Sequence, residues 1–295
     1  MPGLLARCTF PPPGTEAVAA VSGGADSFAL LALAGAAGLR VTAVHVDHAL
    51  RPGSAEEADV VADAARRLGT GFRALRAPVE PGPNLEARAR DARWAVLPPG
   101  AMTGHTLDDQ AETVLLNLLR GAGADGLAAM RPGPAKPLLA LRRAETAALC
   151  LELGLDPVVD PSNADLALRR NDVRARVLPL LDDVAGRDVA PLLARTAALL
   201  ADDTDLLAAL AAELDPTDAA ALAAAPPAVA RRAVRAWLCG AHPPDAASVE
   251  RVLAVARGEA RGTEVAGRRR VRSTAGRLRL EGAAGPDDGH GPGRR

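Results

Sequence analysis

Along the first half of the chain, short and mostly apolar runs at 17–21, 41–46, 71–75 and 101–104 alternate with longer stretches at 27–37, 55–68, 85–95 and 107–119. The longer stretches repeat apolar residues at spacings of three and four, which gathers them on one helical face. The short runs have the length and continuity of strands buried on both sides. This alternation of strand and helix predicts an α/β fold, a doubly wound parallel sheet.

From about Leu180 the texture changes to helices rich in alanine and leucine, interrupted at "DPTD", "APP" and "HPPD". A small helical domain is expected there, closed by a basic hairpin over 263–281 and followed by a Gly/Pro/Asp tail expected to be disordered. The division read from the sequence is 1–185, 186–281 and 282–295. A chain of 295 residues with 48% hydrophobic content can bury one large core and a second, smaller one.

Composition narrows the function. The three cysteines, Cys8, Cys150 and Cys239, are far apart and have no zinc or redox spacing. No stretch reaches the roughly 18 charge-free apolar residues of a membrane span, and no leader pattern opens the chain, so a soluble cytoplasmic protein without a membrane partner is expected. Net charge is −1, yet the sequence from Gly267 to Arg279 is strongly basic and "LLADDTDLLAALAAELDPTD" is acidic. Tyrosine is absent and aromatics are 2%, so contact with nucleic acid would lean on arginine and phosphate pairing.

The polar clusters fall after the strands, where open α/β sheets bind their ligands. After the first strand comes "SGGADS", with Ser22, Gly23, Gly24, Ala25, Asp26 and Ser27. Consecutive glycines let backbone amides approach a phosphate, and the next helix start adds donors and a favourable dipole. A G-x-x-x-x-G-K-[ST] loop is absent, which argues against γ-phosphoryl transfer. A plain tight turn capped by Ser22 is the alternative.

The second strand ends in "HVDHALR". His45 and Asp47 share a strand face while His48 points away, so metal ligation is the weakest reading. A place against adenine and ribose suits them better, with an exposed loop as the alternative for His48 and Arg51. After the fourth strand, "HTLDDQAET" sets His105, Asp109 and Glu112 on one helix side with Asp108 beside them, and Leu107, Ala111, Val114, Leu115 and Leu118 opposite. Such a group can hold magnesium, orient an amine or act as general base; acids favoured by the helix dipole are the alternative.

"SGGADS" resembles the loop of the ATP pyrophosphatases, which split ATP between its α and β phosphates and adenylate a substrate. Together with "HVDHALR", "NLEARARDARW", "TGHTLDDQAETVLLNLLRGAGADGLAAM", "KPLLALRRAE" and "DPSNADLALRRNDVR", the chain from about Val18 to Leu181 is similar to the tRNA(Ile)-lysidine synthetase family. The resemblance implies two steps: the wobble cytidine of the CAU-anticodon isoleucine tRNA is adenylated with release of pyrophosphate, then the ε-amine of free L-lysine displaces AMP.

By that resemblance Ser22, Gly23, Gly24, Ala25, Asp26 and Ser27, with His45 and Asp47, bind ATP. Magnesium comes with the nucleotide, with Asp26 near it and no metal site formed by the protein alone. Arg88, Arg170 and Arg174 neutralise phosphate; for Arg88 a surface ion pair is the alternative. Asp109 and Glu112 are expected to select lysine and take its proton, with Asp26 the third catalytic residue and His105 and Asp108 on the substrate side.

Many relatives carry a further carboxy-terminal domain, which this chain is expected to be too short to hold in full; the Arg268 to Arg279 segment is expected to stand in on the tRNA backbone, with a solvated surface strand as the alternative. A homodimer is left open. The rivals are another adenylating tRNA-modifying enzyme of the same loop family and a non-catalytic RNA-binding module.

Overall fold

The computed structural model describes residues 1–49, 54–80, 82, 85–158, 165–240 and 244–282. Arg51, the 160–164 part of "DPSNADLALRRNDVR" and the tail beyond Gly282 lie outside the described residues. By contacts the chain divides into two compact units, Met1–Ala201 and Asp202–Arg295.

In the first unit, a short helix α1 (Pro2–Leu5) precedes β1 (Glu16–Ala20), α2 (Ala25–Ala36), β2 (Arg40–Asp47), α3 (Ser54–Arg67), β3 (Gly71–Arg76), α4 (Leu85–Val96), β4 (Met102–Thr103) and α5 (Leu107–Leu119). The strands form one parallel sheet in the order β3-β2-β1-β4. The doubly wound sheet expected from the alternation is therefore present. After β1 the chain adds β2 and β3 on one side and then returns to lay β4 on the other. This reversal opens a crevice at the carboxyl ends of β1 and β4, the place where such sheets take ligands.

The two faces of the sheet are covered unequally. On one, Phe28, Leu30, Leu31 and Leu33 of α2 pack with Val61 and Ala65 of α3, Ala19, Val41 and Ala43 of the strands, and Leu149 and Cys150. The other holds a smaller cluster of Val44, Leu97 and Ala101. Helix α2 is buried from Ser27 through Ala34 rather than on one face, because α7 (Arg143–Glu152) covers the side that faces away from the sheet. Its near-continuous apolar sequence is the cause: it offers water no polar stripe.

After α6 (Ala124–Leu127) and α7, the helix α8 (Arg169–Asp172) runs through a π-helical turn at Val173–Val177 into α9 (Leu178–Ala185), and α10 (Ala190–Ala212) carries the chain into the second unit. There, α11 (Ala219–Ala224), α12 (Pro227–Leu238) and α13 (Ala246–Ala256) are followed by β5 (Gly262–Val265), β6 (Arg269–Thr274) and β7 (Arg277–Glu281). Asp218 and Asp245 cap α11 and α13 by accepting from the amides of Ala221 and Ser248.

The strands of the second unit form an antiparallel sheet, β5-β6-β7, whose Val265, Val271 and Leu278 close a core with Val234, Leu238, Val252 and Leu253. The alternation of a strand sends the neighbours of these residues outward. Arg270, Arg272, Arg277 and Arg279 are thus exposed, and Arg272 stands directly opposite Arg279 in the register. Arg269 has the other parity and donates to the Leu238 carbonyl at 2.8 Å. Among the described residues no helix is long and apolar enough to cross a membrane.

Candidate functional site

The loop after β1 is shaped by its glycines. Gly23 has φ +91°, a left-handed conformation that side chains resist, and a β-carbon there would stand 3.2 Å from Val158 Cγ2. Its carbonyl accepts from the Val158 amide at 3.0 Å. Gly24 is the N-cap of α2 without a side-chain cap, and the Ser27 and Phe28 amides donate to its carbonyl at 3.1 Å, so the Ala25 and Asp26 amides are the ones left to a ligand or solvent. Ser22 is exposed, whereas Ser27 is buried and donates to the Gly24 carbonyl at 2.8 Å. Helix start, glycine backbone and the Ser22 hydroxyl together make a cradle for an anion.

Asp26, in the first turn of α2, leads to a dense cluster of ions. Thr146 of α7 donates its hydroxyl to Asp26, and Arg143 Nε lies 3.6 Å from the same carboxylate. Arg143 Nη2 reaches Asp109 Oδ1 at 2.9 Å and Glu112 Oε1 at 3.0 Å. Arg170 contacts Asp109 at 3.2 Å and Glu112 at 2.7 Å, and Arg174 contacts Glu112 at 2.7 Å. Glu112 is fully buried, and three guanidiniums compensate its charge.

The carboxylates of α5 are placed by its capping. Thr106 is the N-cap, and Asp109 Oδ2 accepts from the Thr106 amide at 2.7 Å and hydroxyl at 2.9 Å. Burial alone would raise the Asp109 pKa, but Arg143, Arg170 and the Thr106 amide hold it below its ordinary value. Asp108 is likewise lowered against its burial, by Arg142, which donates to it at 2.8 Å, and by the Arg143 amide. Asp26 is raised, chiefly by burial, which the Thr146 hydroxyl only partly offsets.

A cleft of about 570 Å³ runs along the strand ends, lined by Ser22, Asp26 and Ser27, by His45, Asp47 and His48, and by His105. His45 is buried and donates from Nδ1 to the Val21 carbonyl at 3.0 Å. Asp47 Oδ1 accepts from the Ala49 amide at 2.8 Å. Burial lowers the His105 pKa to about 4, against the pull of Asp109, so its ring is neutral at pH 7; its Nδ1 lies 2.7 Å from Thr103 Oγ1.

The structure brings together Asp26, Asp109, Glu112, Arg170 and Arg174, and it lines the cleft with Ser22, Ser27, His45, Asp47 and His105. Asp108 sits beside the cluster on Arg142. Arg88 is elsewhere: its Nη2 donates to the Glu80 carbonyl at 2.8 Å. Leu118, read as part of the apolar side of its helix, is 56% exposed, because the packed stripe of α5 ends at Leu115. Sequence reasoning passed over Arg142, Arg143 and Thr146. The one signal for the two arginines was "KPLLALRRAE", where they open a helix whose first turn favours acids.

A nucleoside triphosphate suits this ground. The glycine loop admits a phosphate where side chains would not, the cleft has the volume of a small-molecule site, and its lining residue Asp26 joins it to the arginine cluster through Arg143. Among the described residues no three histidine, cysteine or acidic side chains are grouped to hold a metal ion. Asp26 is a hard oxygen donor at the loop, of the type magnesium takes when phosphates supply its other ligands.

The comparisons agree with the geometry. Residues 6–181 match the model of the PP-loop domain, and residues 218–279 match that of the TilS substrate binding domain. The tRNA(Ile)-lysidine synthase of Nocardia farcinica is 49% identical over 244 residues, covering 77% of this chain and 77% of its own. That of Mycobacterium bovis is 46% identical over 237 residues, covering 74% and 73%. Among solved structures, the U34-tRNA thiolase NcsA from Methanococcus maripaludis superimposes with a TM-score of 0.54 at 17% identity, covering 64% of this chain and 72% of that one, a likeness of fold alone. With its loop, its strand-end segments and its second unit all matched, the chain belongs to the tRNA(Ile)-lysidine synthase family of PP-loop proteins.

Proposed function

We propose that this chain joins free L-lysine to the wobble cytidine of the CAU-anticodon isoleucine tRNA, using ATP and releasing AMP and pyrophosphate. The observation that carries the reading is the meeting of the glycine loop and the acid–arginine cluster at Asp26, bridged by Arg143. A pyrimidine carbonyl oxygen is a poor leaving group until it is adenylated, so activation and displacement need one site.

In this reading the amides of the loop, with Ser22, receive the pyrophosphate, and Arg143, Arg170 and Arg174 stabilise charge that develops at the α-phosphate. Asp26 would help hold a magnesium ion brought by the phosphates, and that ion would supply further charge neutralisation. Asp109 meets the lysine ammonium and takes its proton, with Glu112 behind it holding the three arginines. Asp108 fixes Arg142 at the rim, and neutral His105 offers a hydrogen bond to substrate. His45 and Asp47 shape the nucleoside end of the cleft. The exposed arginines of β6 and β7 contact the tRNA backbone.

Pyrophosphate release tests the first step without lysine. Chain, ATP, magnesium and the tRNA transcript should give about one equivalent, and lysine should convert this to turnover. The same release without tRNA would argue against cytidine as the group adenylated.

A further inference from the structure

Thr146, one turn into α7, is polar yet fully buried. Its hydroxyl has two acceptors within reach: the Asp26 carboxylate of α2 and, at 2.8 Å, the Arg143 carbonyl of its own helix. A hydroxyl has one proton to give. Threonines in helices commonly give it to a carbonyl one turn back, so α7 does not need Asp26 to satisfy this side chain. The contact instead joins residues 120 apart, through the packing of α7 on α2. One turn further on, Cys150 Sγ donates to the Ala25 carbonyl at 3.3 Å. Helix α7 therefore grips two successive residues at the start of α2.

The grip decides where Asp26 points. Its Oδ1 is held by Thr146, and its Oδ2 stops 3.6 Å from Arg143 Nε, beyond the roughly 3.2 Å of a formed N–H···O hydrogen bond. Arg143 meanwhile directs Nη2 to Asp109 at 2.9 Å and to Glu112 at 3.0 Å. A carboxylate left unheld this close to a guanidinium would close the gap, because a charge-assisted fork is stronger than the open contact. Closure would draw Asp26 away from the cleft it lines and Arg143 away from α5.

We propose that Thr146 is a positioning residue: its hydroxyl holds the Asp26 carboxylate off Arg143, so that Asp26 stays open to the cleft and Arg143 stays on Asp109 and Glu112. The inference rests on the ATP reading above. Thr146 acts through Asp26, and the hydroxyl is the part that matters, since valine has the same branched shape without it.

The test is ATP binding by calorimetry with and without magnesium, beside thermal unfolding, in wild type, Thr146→Val and Thr146→Ser. Magnesium should strengthen ATP binding by the wild type. In Thr146→Val that gain should shrink about tenfold, as when the partner that orients a metal-side carboxylate is removed, while Thr146→Ser stays within about twofold of wild type. Against an Asp26→Asn background, Thr146→Val should change the gain by less than about twofold, because the two residues act as one unit. Thr146→Ala, which removes the hydroxyl and only makes the side chain smaller, answers the same question should the valine variant not fold. A full magnesium gain in a folded variant without the hydroxyl overturns the role of Thr146. So does an equal loss in the Asp26→Asn background, which would reduce Thr146 to packing. A wild type that binds no ATP overturns the ATP reading and this inference with it.

Discussion

Gly104, between β4 and α5, lies so close to Asp26 that a β-carbon at 104 would stand 2.6 Å from the Asp26 carbonyl oxygen. The obstacle is backbone, which no rotamer change relieves. Gly104→Ala must therefore push the strand end and the start of α2 apart. With the main cores untouched, the chain should fold, but displacing reacting groups by about an ångström costs on the order of 100-fold in rate. Circular dichroism of the variant should match the wild type while its pyrophosphate release falls by about that factor. Normal release would mean that the two loops need not meet.

Arg143 touches Asp26, Asp109 and Glu112 with one planar fork. A lysine at 143 keeps the charge but offers a single point in place of that fork. Arg143→Lys should lower kcat about 100-fold with tRNA affinity unchanged, measured by filter binding beside turnover. A kcat within threefold of wild type would reduce Arg143 to a surface cation.

The strands, helices and ligand loops of the first unit were legible in the sequence, because each rests on local pattern: apolar runs, three-and-four spacing and glycine between strand and helix. The partners of the cluster were not. Arg143 and Glu112 are 31 residues apart, and Arg174 and Glu112 are 62 apart. Only the packing of α7 against α2 and the course of α8 bring them together. A helix that opens on Arg142 and Arg143 reads as a solvated surface until Asp108 and Asp26 are seen opposite. The all-round burial of α2 and the exposure of Leu118 were hidden for the same reason, since neighbours decide which face of a helix is covered.

His105 gives a pH signature. Its pKa is about 4 in the folded chain, below the ordinary 6.5, so between these values the unfolded chain binds the extra proton. The contribution of His105 to stability is complete above pH 6.5, falls as pH drops toward about 4 and is flat below. Urea unfolding of wild type and His105→Gln, compared from pH 7 to pH 4, should show the wild type losing up to about 3 kcal/mol more. Parallel curves would place the ring in water.

Arg272 and Arg279 face each other across β6 and β7, an arrangement of like charges that destabilises a sheet and suits a polyanion. Arg279→Ala should leave the fold intact or slightly more stable. If the side chain meets a phosphate, the slope of log affinity for tRNA against log salt should fall by about 1. An unchanged slope would move the tRNA backbone to another surface.

The central claim is the chemistry at one base. Labelled lysine, ATP, magnesium and the chain should be incubated with a transcript of the CAU-anticodon isoleucine tRNA and, in parallel, with one whose wobble cytidine is replaced by uridine. The account predicts label in the first transcript and none in the second. Label in both, or in neither while pyrophosphate is still released, would contradict it.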